Sequence, residues 1–231
     1  MPAKANALKI PRHFTESGKD PFDKLSWSKK DVEIRNFDGT VAFSMKDVTL
    51  PDNYSQVASN VLAQKYLRKA GIPKKLRKVK EKAVPSWLQR SVPDLKAMED
   101  LPENEKFGEE VDGKQTFRRL AGTWTYWGWK HGYFASEADA KSYFDEMCYM
   151  LAFQMVSPNS PQWFNTGLNW AYGIEGPAQG HYFVNPKTDE LERSVNAYEH
   201  PQPHACFIQS VSDDLVNEGG IMDLWTREAR L

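Results

Sequence analysis

Early in the chain, apolar and polar residues alternate in two short runs. Val32 and Ile34 alternate with charged neighbours, Asn36-Phe37-Asp38-Gly39 follows, and Val41, Phe43 and Met45 alternate again. Two period-2 runs joined by Asp-Gly predict a β-hairpin, because glycine tolerates the positive φ such a turn needs. Residues 1–30 show no steady period, carry Pro11 and Pro21, and read as an extended arm. Beyond the hairpin, Pro51-Asp52-Asn53 opens a helix through Val57, Ala58, Val61, Leu62 and Tyr66, and Gly71-Ile72-Pro73 closes it. Pro85, Pro93 and Pro102 break residues 83–112 into short helices and loops. An aromatic stretch from Ala121 to Phe134 leads to Ser136, an N-cap with Asp139 three residues on. Behind it Ala140, Tyr143, Phe144, Met147, Leu151 and Met155 recur at helical spacing, up to a stop at Ser157-Pro158. The stretch from there to His204 reads as loops. Cys206-Phe207-Ile208 predicts a short buried strand, and Leu215 to Leu231 an amphipathic helix broken near Gly219-Gly220. Helical patterning runs to Arg230-Leu231 with no cap, Gly or Pro, so the chain is expected to be a fragment of a longer protein. No internal repeat is present.

Composition narrows this only a little. Lys plus Arg (30) nearly balances Asp plus Glu (31), so no global charge selects nucleic acid or a membrane surface. The first residues lack the apolar core of a signal peptide, and no stretch is long enough to span a bilayer. Two cysteines, Cys148 and Cys206, cannot build a disulfide framework, and a reducing cytoplasm is the expected compartment. The basic run Lys74 to Lys82 invites a nucleic-acid reading, but acidic residues in 94–112 screen it, and a solvated helix face is the commoner meaning. His13, His131 and His181 are isolated. Gly173, Gly176 and Gly180 lack the strand–turn–helix setting of a dinucleotide fingerprint.

Two segments carry candidate chemistry. In Ser157-Pro158-Asn159-Ser160-Pro161-Gln162-Trp163-Phe164-Asn165-Thr166-Gly167, tandem Pro turns fix backbone amides and a hydroxyl after a helix. Such a cluster can accept a phosphate without formal positive charge, or it can simply be a helix stop and turn, the commoner case. In His200-Pro201-Gln202-Pro203-His204-Ala205-Cys206, a thiol lies two residues from a histidine. On a strand those two side chains would share a face. The thiol is open to three readings, a nucleophile, a redox group or an apolar filler, and the spacing supplies too few ligands for a metal. Cys148, between Met147 and Tyr149 in the predicted helix, reads as core packing.

These residues carry a resemblance. SPNSPQWFNTG followed some forty residues on by HACFIQSVSDDL resembles the start of the catalytic barrel of ribonucleotide reductases. The intervening NWAYGIEGPAQGHYFVNP, the EIRNFDGTVAF hairpin and the VLAQKYLRKAGIP helix are similar to the adenosylcobalamin-dependent, class II branch. The resemblance implies an α+β fragment in three parts. They are an arm (1–30), a mostly helical N-terminal region with one hairpin (31–155), and the first elements of a ten-stranded α/β barrel (156–231), left incomplete.

It also implies roles. Ser160 matches the hydroxyl that binds substrate phosphates, and Ala205 the backbone against the ribose. Cys206 matches the first cysteine of the redox pair, which protonates the leaving 2′-hydroxyl, and Asp213 an acidic position contacting a deoxyribonucleotide effector. The implied cofactor is adenosylcobalamin, its contacts not assignable to these residues. The implied partners are a ribonucleoside diphosphate substrate, a thioredoxin-like reductant and, at full length, a second copy in a homodimer. The family's radical cysteine and third cysteine lie later in its chain, so this segment alone is expected to be inactive, and poorly soluble because its packing surface would be exposed. A free-standing nucleotide- or protein-binding module, using the Ser160 turn or the aromatic cluster, is the reading from another class.

Overall fold

The computed structural model describes residues 7–178, 180–185 and 188–229. The first six residues of the expected arm, and Arg230-Leu231 of the expected last helix, lie outside that range. The fold is α+β, built on one large hairpin and two long helices. Strands β1 (Trp27–Arg35) and β2 (Val41–Pro51) pair antiparallel, with Val32 opposite Met45 and Ile34 opposite Phe43. Alternation decides the faces: Val32, Met45, Val48 and Leu50 are buried, while Asp31 and Glu33 face water. Gly39 closes the turn at φ 84°. The register slips between Lys30 and Val32, where Asp47 sits at φ 54° with its amide bonded to Asp31.

Helix α1 (Gln56–Val61) is capped by Ser55, whose Oγ accepts the Ala58 amide, and runs on as a π-helical turn, Leu62–Tyr66. It ends at extended Leu67, earlier than the Gly71-Ile72-Pro73 stop expected. Short pieces follow: β3 (Ile72–Pro73), β4 (Leu76–Lys78), β5 (Ser91–Pro93), α2 (Glu103–Lys106) and β6 (Phe107–Gly108), with β3 paired to β6 and β4 to β5. The basic run thus lies partly on an exposed hairpin strand, not on a helix face.

The longest helix, α3 (Gly113–Lys130), runs through most of the aromatic stretch, where the residue pattern predicts no element. Asp112 Oδ1 accepts the Lys114 amide and Gln115 Oε1 accepts the Asp112 amide, a reciprocal cap. Helix α4 (Glu137–Ala152) starts on the Ser136 cap as expected and packs along α3. Phe117, Leu120 and Ala121 of α3 meet Cys148, Leu151 and Ala152 of α4, with Val48 and Leu50 of β2, Leu62 and Trp163, in one core. Burying side chains of this size contributes about 1.5–3 kcal/mol each. Cys148 is fully buried, as the packing reading required.

The remaining elements are short: α5 (Ser160–Asn165), α6 (Leu168–Tyr172), the β7 (Tyr182–Val184) and β8 (Leu191–Arg193) hairpin, and α7 (Ile221–Glu228). Among the described residues there is no closed barrel. Residues 206–208, expected as a buried strand, form exposed irregular backbone, and the last helix begins at Ile221, not Leu215. An apolar triplet becomes a buried strand only where a sheet receives it, and none of the sheets here does. No helix among the described residues is long and apolar enough to cross a membrane.

The arm is not free. Its last residues belong to β1, and the rest lies along α4: the Ile10 amide bonds to Asp139, Arg12 pairs with buried Asp145 at 2.8 Å, and Phe14 and Thr15 cap Glu146. Burial pushes the Glu146 carboxyl up. The Thr15 hydroxyl at 2.6 Å and the Phe14 and Thr15 amides outweigh it and hold the group below the ordinary carboxylate range. A depressed folded value means that the stabilisation is complete above the unfolded pKa and fades as pH falls through the folded one. Below about pH 4.3 the arm should therefore begin to lift from α4. Hydrogen exchange at the Phe14 and Thr15 amides checks this; protection unchanged down to pH 3 would rule it out.

Candidate functional site

The Ser157–Gly167 segment is held from beneath by a buried ion pair. Arg119, on the core-facing side of α3, and Glu110, just before that helix, are both shielded from water. Arg119 Nε donates to Glu110 Oε1 at 2.8 Å. The rest of the guanidinium reaches three backbone carbonyls: Nη1 donates to Thr166 at 2.7 Å, and Nη2 to Trp163 at 2.9 Å and Tyr66 at 3.0 Å. Glu110 also accepts from the Arg68 amide, the Thr116 hydroxyl and the Tyr172 hydroxyl, each within 2.9 Å. Burial first, and the Glu110 charge next, push the Tyr172 phenol well up, so it stays a proton donor to the carboxylate. A charge buried this deeply is tolerable only with its hydrogen bonds made, and here they are. The pair thereby ties the end of the π-turn, both ends of the α5–α6 junction and α3 to one point.

Glycine makes the close approach possible. Gly167 has φ 89°, and a Cβ there would lie 2.4 Å from the Arg119 carbonyl oxygen. At Gly122 a Cβ would meet the Trp170 ring at 2.2 Å, so this residue lets α6 lie against α3.

Above this clamp sits the turn. Asn159 caps α5, its side chain and carbonyl both accepting the Gln162 amide, and Pro161 has no N–H. Amides that might have offered themselves to a phosphate are therefore partly used within the turn. What the turn presents outward is the Ser160 hydroxyl, 3.3 Å from the Tyr66 hydroxyl on an exposed face. Tyr66 stacks on buried Trp163 with ring centroids 5.1 Å apart, and Trp163 Nε1 donates to the Pro158 carbonyl at 3.0 Å.

The other sequence-derived residues lie apart from this turn. Ala205, Cys206 and Asp213 are exposed on irregular backbone. No hydrogen bond among the described residues joins Cys206 to Ser160. The His204 ring meets Phe207 edge-on at 6.1 Å, not a strand neighbour of Cys206, since the strand is absent. The Asn217 side-chain amide, and then the Asn217 and Val216 backbone amides, donate to Asp214 and lower its pKa; it closes a turn, while Asp213 beside it is exposed. Among the described residues no three His, Cys, Asp or Glu side chains form a metal site. The segment around Cys206 and α7 exposes Phe207, Ile208, Val211, Leu215, Val216 and Trp225.

Sequence reading passed over Glu110, Arg119, Tyr172 and Tyr66. The available signal was Arg119 itself, a charge set between Phe117 and Leu120-Ala121 on what becomes the buried side of α3.

Comparison with known proteins covers this architecture. Residues 28–154 match a family model described as class II vitamin B12-dependent ribonucleotide reductase. The chain is 61% identical over 224 residues to a vitamin B12-dependent ribonucleotide reductase of Agrobacterium fabrum, and equally to one of Bradyrhizobium diazoefficiens, in each case over 97% of this chain. A protein of the same name from Streptomyces coelicolor is 32% identical over 229 residues, again 97% of this chain. The chain spans 18% of the length of the first two and 16% of the third. The family match stops just before the Ser160 turn, and the pairwise similarity extends across it.

Proposed function

The chain belongs to the class II vitamin B12-dependent ribonucleotide reductases, and from that premise we propose that it is the N-terminal part of an enzyme reducing ribonucleoside diphosphates to deoxyribonucleotides with adenosylcobalamin. The observation that carries the reading is 61% identity sustained over 97% of the chain. The small share of each relative that it spans supports a division of labour in which this part binds substrate and the remainder supplies the radical chemistry.

In this reading Ser160 holds the substrate's phosphates and the backbone at Ala205 lies against the ribose. Cys206 donates its proton to the 2′-hydroxyl as it leaves as water. Cys206 and a second thiol from the remainder of the enzyme then give up two electrons to the sugar and close a disulfide, which a thioredoxin-like dithiol reopens. An exposed thiol on irregular backbone is compatible with that exchange, since a partner sulfur must reach it. Asp213 is the effector-contacting carboxylate, and the engagement of Asp214 in its own turn favours Asp213 over its neighbour. The exposed apolar residues around Cys206 and α7 suit a segment that packs against the barrel and against a second copy in a homodimer.

Adenosylcobalamin supplies the radical that opens the reaction. The cleft between arm and α4, lined by Phe14, Lys19, Asp20, Lys24 and Tyr149 among others, offers a cavity of about 20 Å³, far too small for that cofactor's corrin. Its contacts are assigned to the rest of the enzyme.

Ser160→Ala in the complete reductase tests the substrate assignment. Losing one hydrogen bond to a charged phosphate should raise KM for CDP about tenfold, with kcat nearly unchanged. Initial rates against CDP concentration read this directly, and an unaltered KM would reject Ser160 as a phosphate ligand.

A further inference from the structure

The contact between α5 and the π-turn after α1 joins two hydroxyls 94 residues apart in sequence. Tyr66 Oη and Ser160 Oγ are 3.3 Å apart, longer than the usual 2.7–2.8 Å of a hydroxyl pair, so their mutual bond is weak and readily exchanged for a better acceptor. Both lie on the exposed side of a rigid support. The Tyr66 ring is stacked on Trp163 and tilted against Phe164. One nitrogen, Arg119 Nη2, donates to the carbonyls of both Tyr66 and Trp163. Tyr66 and helix α5, which carries Ser160, therefore hang from a single guanidinium, and the buried pair fixes the helix relative to the tyrosine.

Two rotatable hydroxyls at this spacing can both turn toward adjacent oxygens of one anion, each donating its proton. We propose that the Tyr66 hydroxyl is a second donor to the substrate's diphosphate at Ser160, a specificity-determining residue for phosphorylated ribonucleosides. The proposal rests on the Ser160 reading above. Arg119 and Glu110 act on this site only through the backbone and are positioning residues.

The test is a double-mutant cycle in the complete reductase with its cobalamin, read as KM and kcat for CDP. Tyr66→Phe keeps the ring stack on Trp163 and removes only the exposed hydroxyl, so the thermal midpoint should not move. It should raise KM about tenfold, with kcat within about twofold, the weight of one hydrogen bond to a charged group. Combined with Ser160→Ala, the loss should exceed that of either single variant severalfold, short of the full product because the two hydroxyls touch and their losses couple. A double variant no worse than Ser160→Ala alone would show that Tyr66 merely props the serine, and overturns the proposal. A silent Tyr66→Phe beside an impaired Ser160→Ala overturns it too, with the serine assignment intact. A silent Ser160→Ala removes the serine assignment and the pairing built on it.

Discussion

Arg119→Met should destabilise the N-terminal region by about 3–5 kcal/mol, the usual consequence of removing one partner of a buried ion pair. The substitution fills the space with a flexible apolar side chain, so loss of volume is not the cause. Glu110 is left buried with an unneutralised charge, though it keeps the Arg68 amide and the Thr116 and Tyr172 hydroxyls. The carbonyls of Tyr66, Trp163 and Thr166 lose their donor at the same time. A second substitution separates these two effects. If the stranded carboxylate were the whole penalty, Glu110→Leu added to Arg119→Met would restore stability, since apolar replacement of buried pairs is often neutral. The three carbonyls left without the guanidinium keep a share of that penalty, so recovery should be partial. Thermal unfolding of the complete protein, with hydrogen exchange resolving α3 and α5, measures both variants. Full recovery in the double variant would show that the grip on the carbonyls is energetically idle, and the clamp would lose its claim to position Ser160.

Such a clamp is hard to see in sequence, for a reason visible in α3. That helix buries Thr116, Arg119, Thr123 and Thr125 alongside Phe117 and Leu120, while Trp124, Tyr126, Trp127 and Trp129 are only partly covered. Polar residues inside and aromatics at the margin erase the apolar stripe on which helical periodicity depends. Where local chemistry alone decides, sequence and structure agree: Asp38-Gly39 turns the hairpin and Ser136 caps α4. Where the outcome depends on a distant partner, they part. The helix expected from Pro51-Asp52-Asn53 to Gly71 begins only at Gln56, since Pro51 ends β2, and stops at Tyr66, because the segment after it is drawn across to Glu110 through the Arg68 amide and carbonyl. Cys206-Phe207-Ile208 has the composition of a buried strand but no sheet to join. Of the site residues, Ser160, Ala205, Cys206 and Asp213 were reached through motif resemblance. Tyr66, which the fold brings against Ser160, lies 94 residues away in the VLAQKYLRKAGIP segment, whose resemblance attached no role to it.

The largest effect on turnover is expected at Cys206. Cys206→Ser in the complete reductase should lower steady-state turnover with a physiological dithiol by about 10⁴-fold or more, on the scale seen when one member of a catalytic unit is removed. That is roughly 5.5 kcal/mol of barrier. Serine preserves size and a transferable proton, but it is a far weaker acid and cannot end the cycle in a disulfide, so the two electrons have no route to the sugar. Within this chain Cys206 is exposed and supports no packing, so the fold of this region does not depend on the sulfur. Oxygen for sulfur there should leave thermal stability unchanged, and the loss can be charged to chemistry. Cys148→Ser is the opposite case. Its thiol is fully buried, and burial pushes its pKa up, which keeps it neutral and inert. A serine hydroxyl there needs a partner inside the core and should cost about 1–3 kcal/mol of stability, while turnover per folded enzyme stays normal. If Cys206→Ser kept full turnover with the dithiol, the sulfur would have no part in the reaction. Were Cys148→Ser to abolish turnover in folded protein, the redox role would have been given to the wrong cysteine.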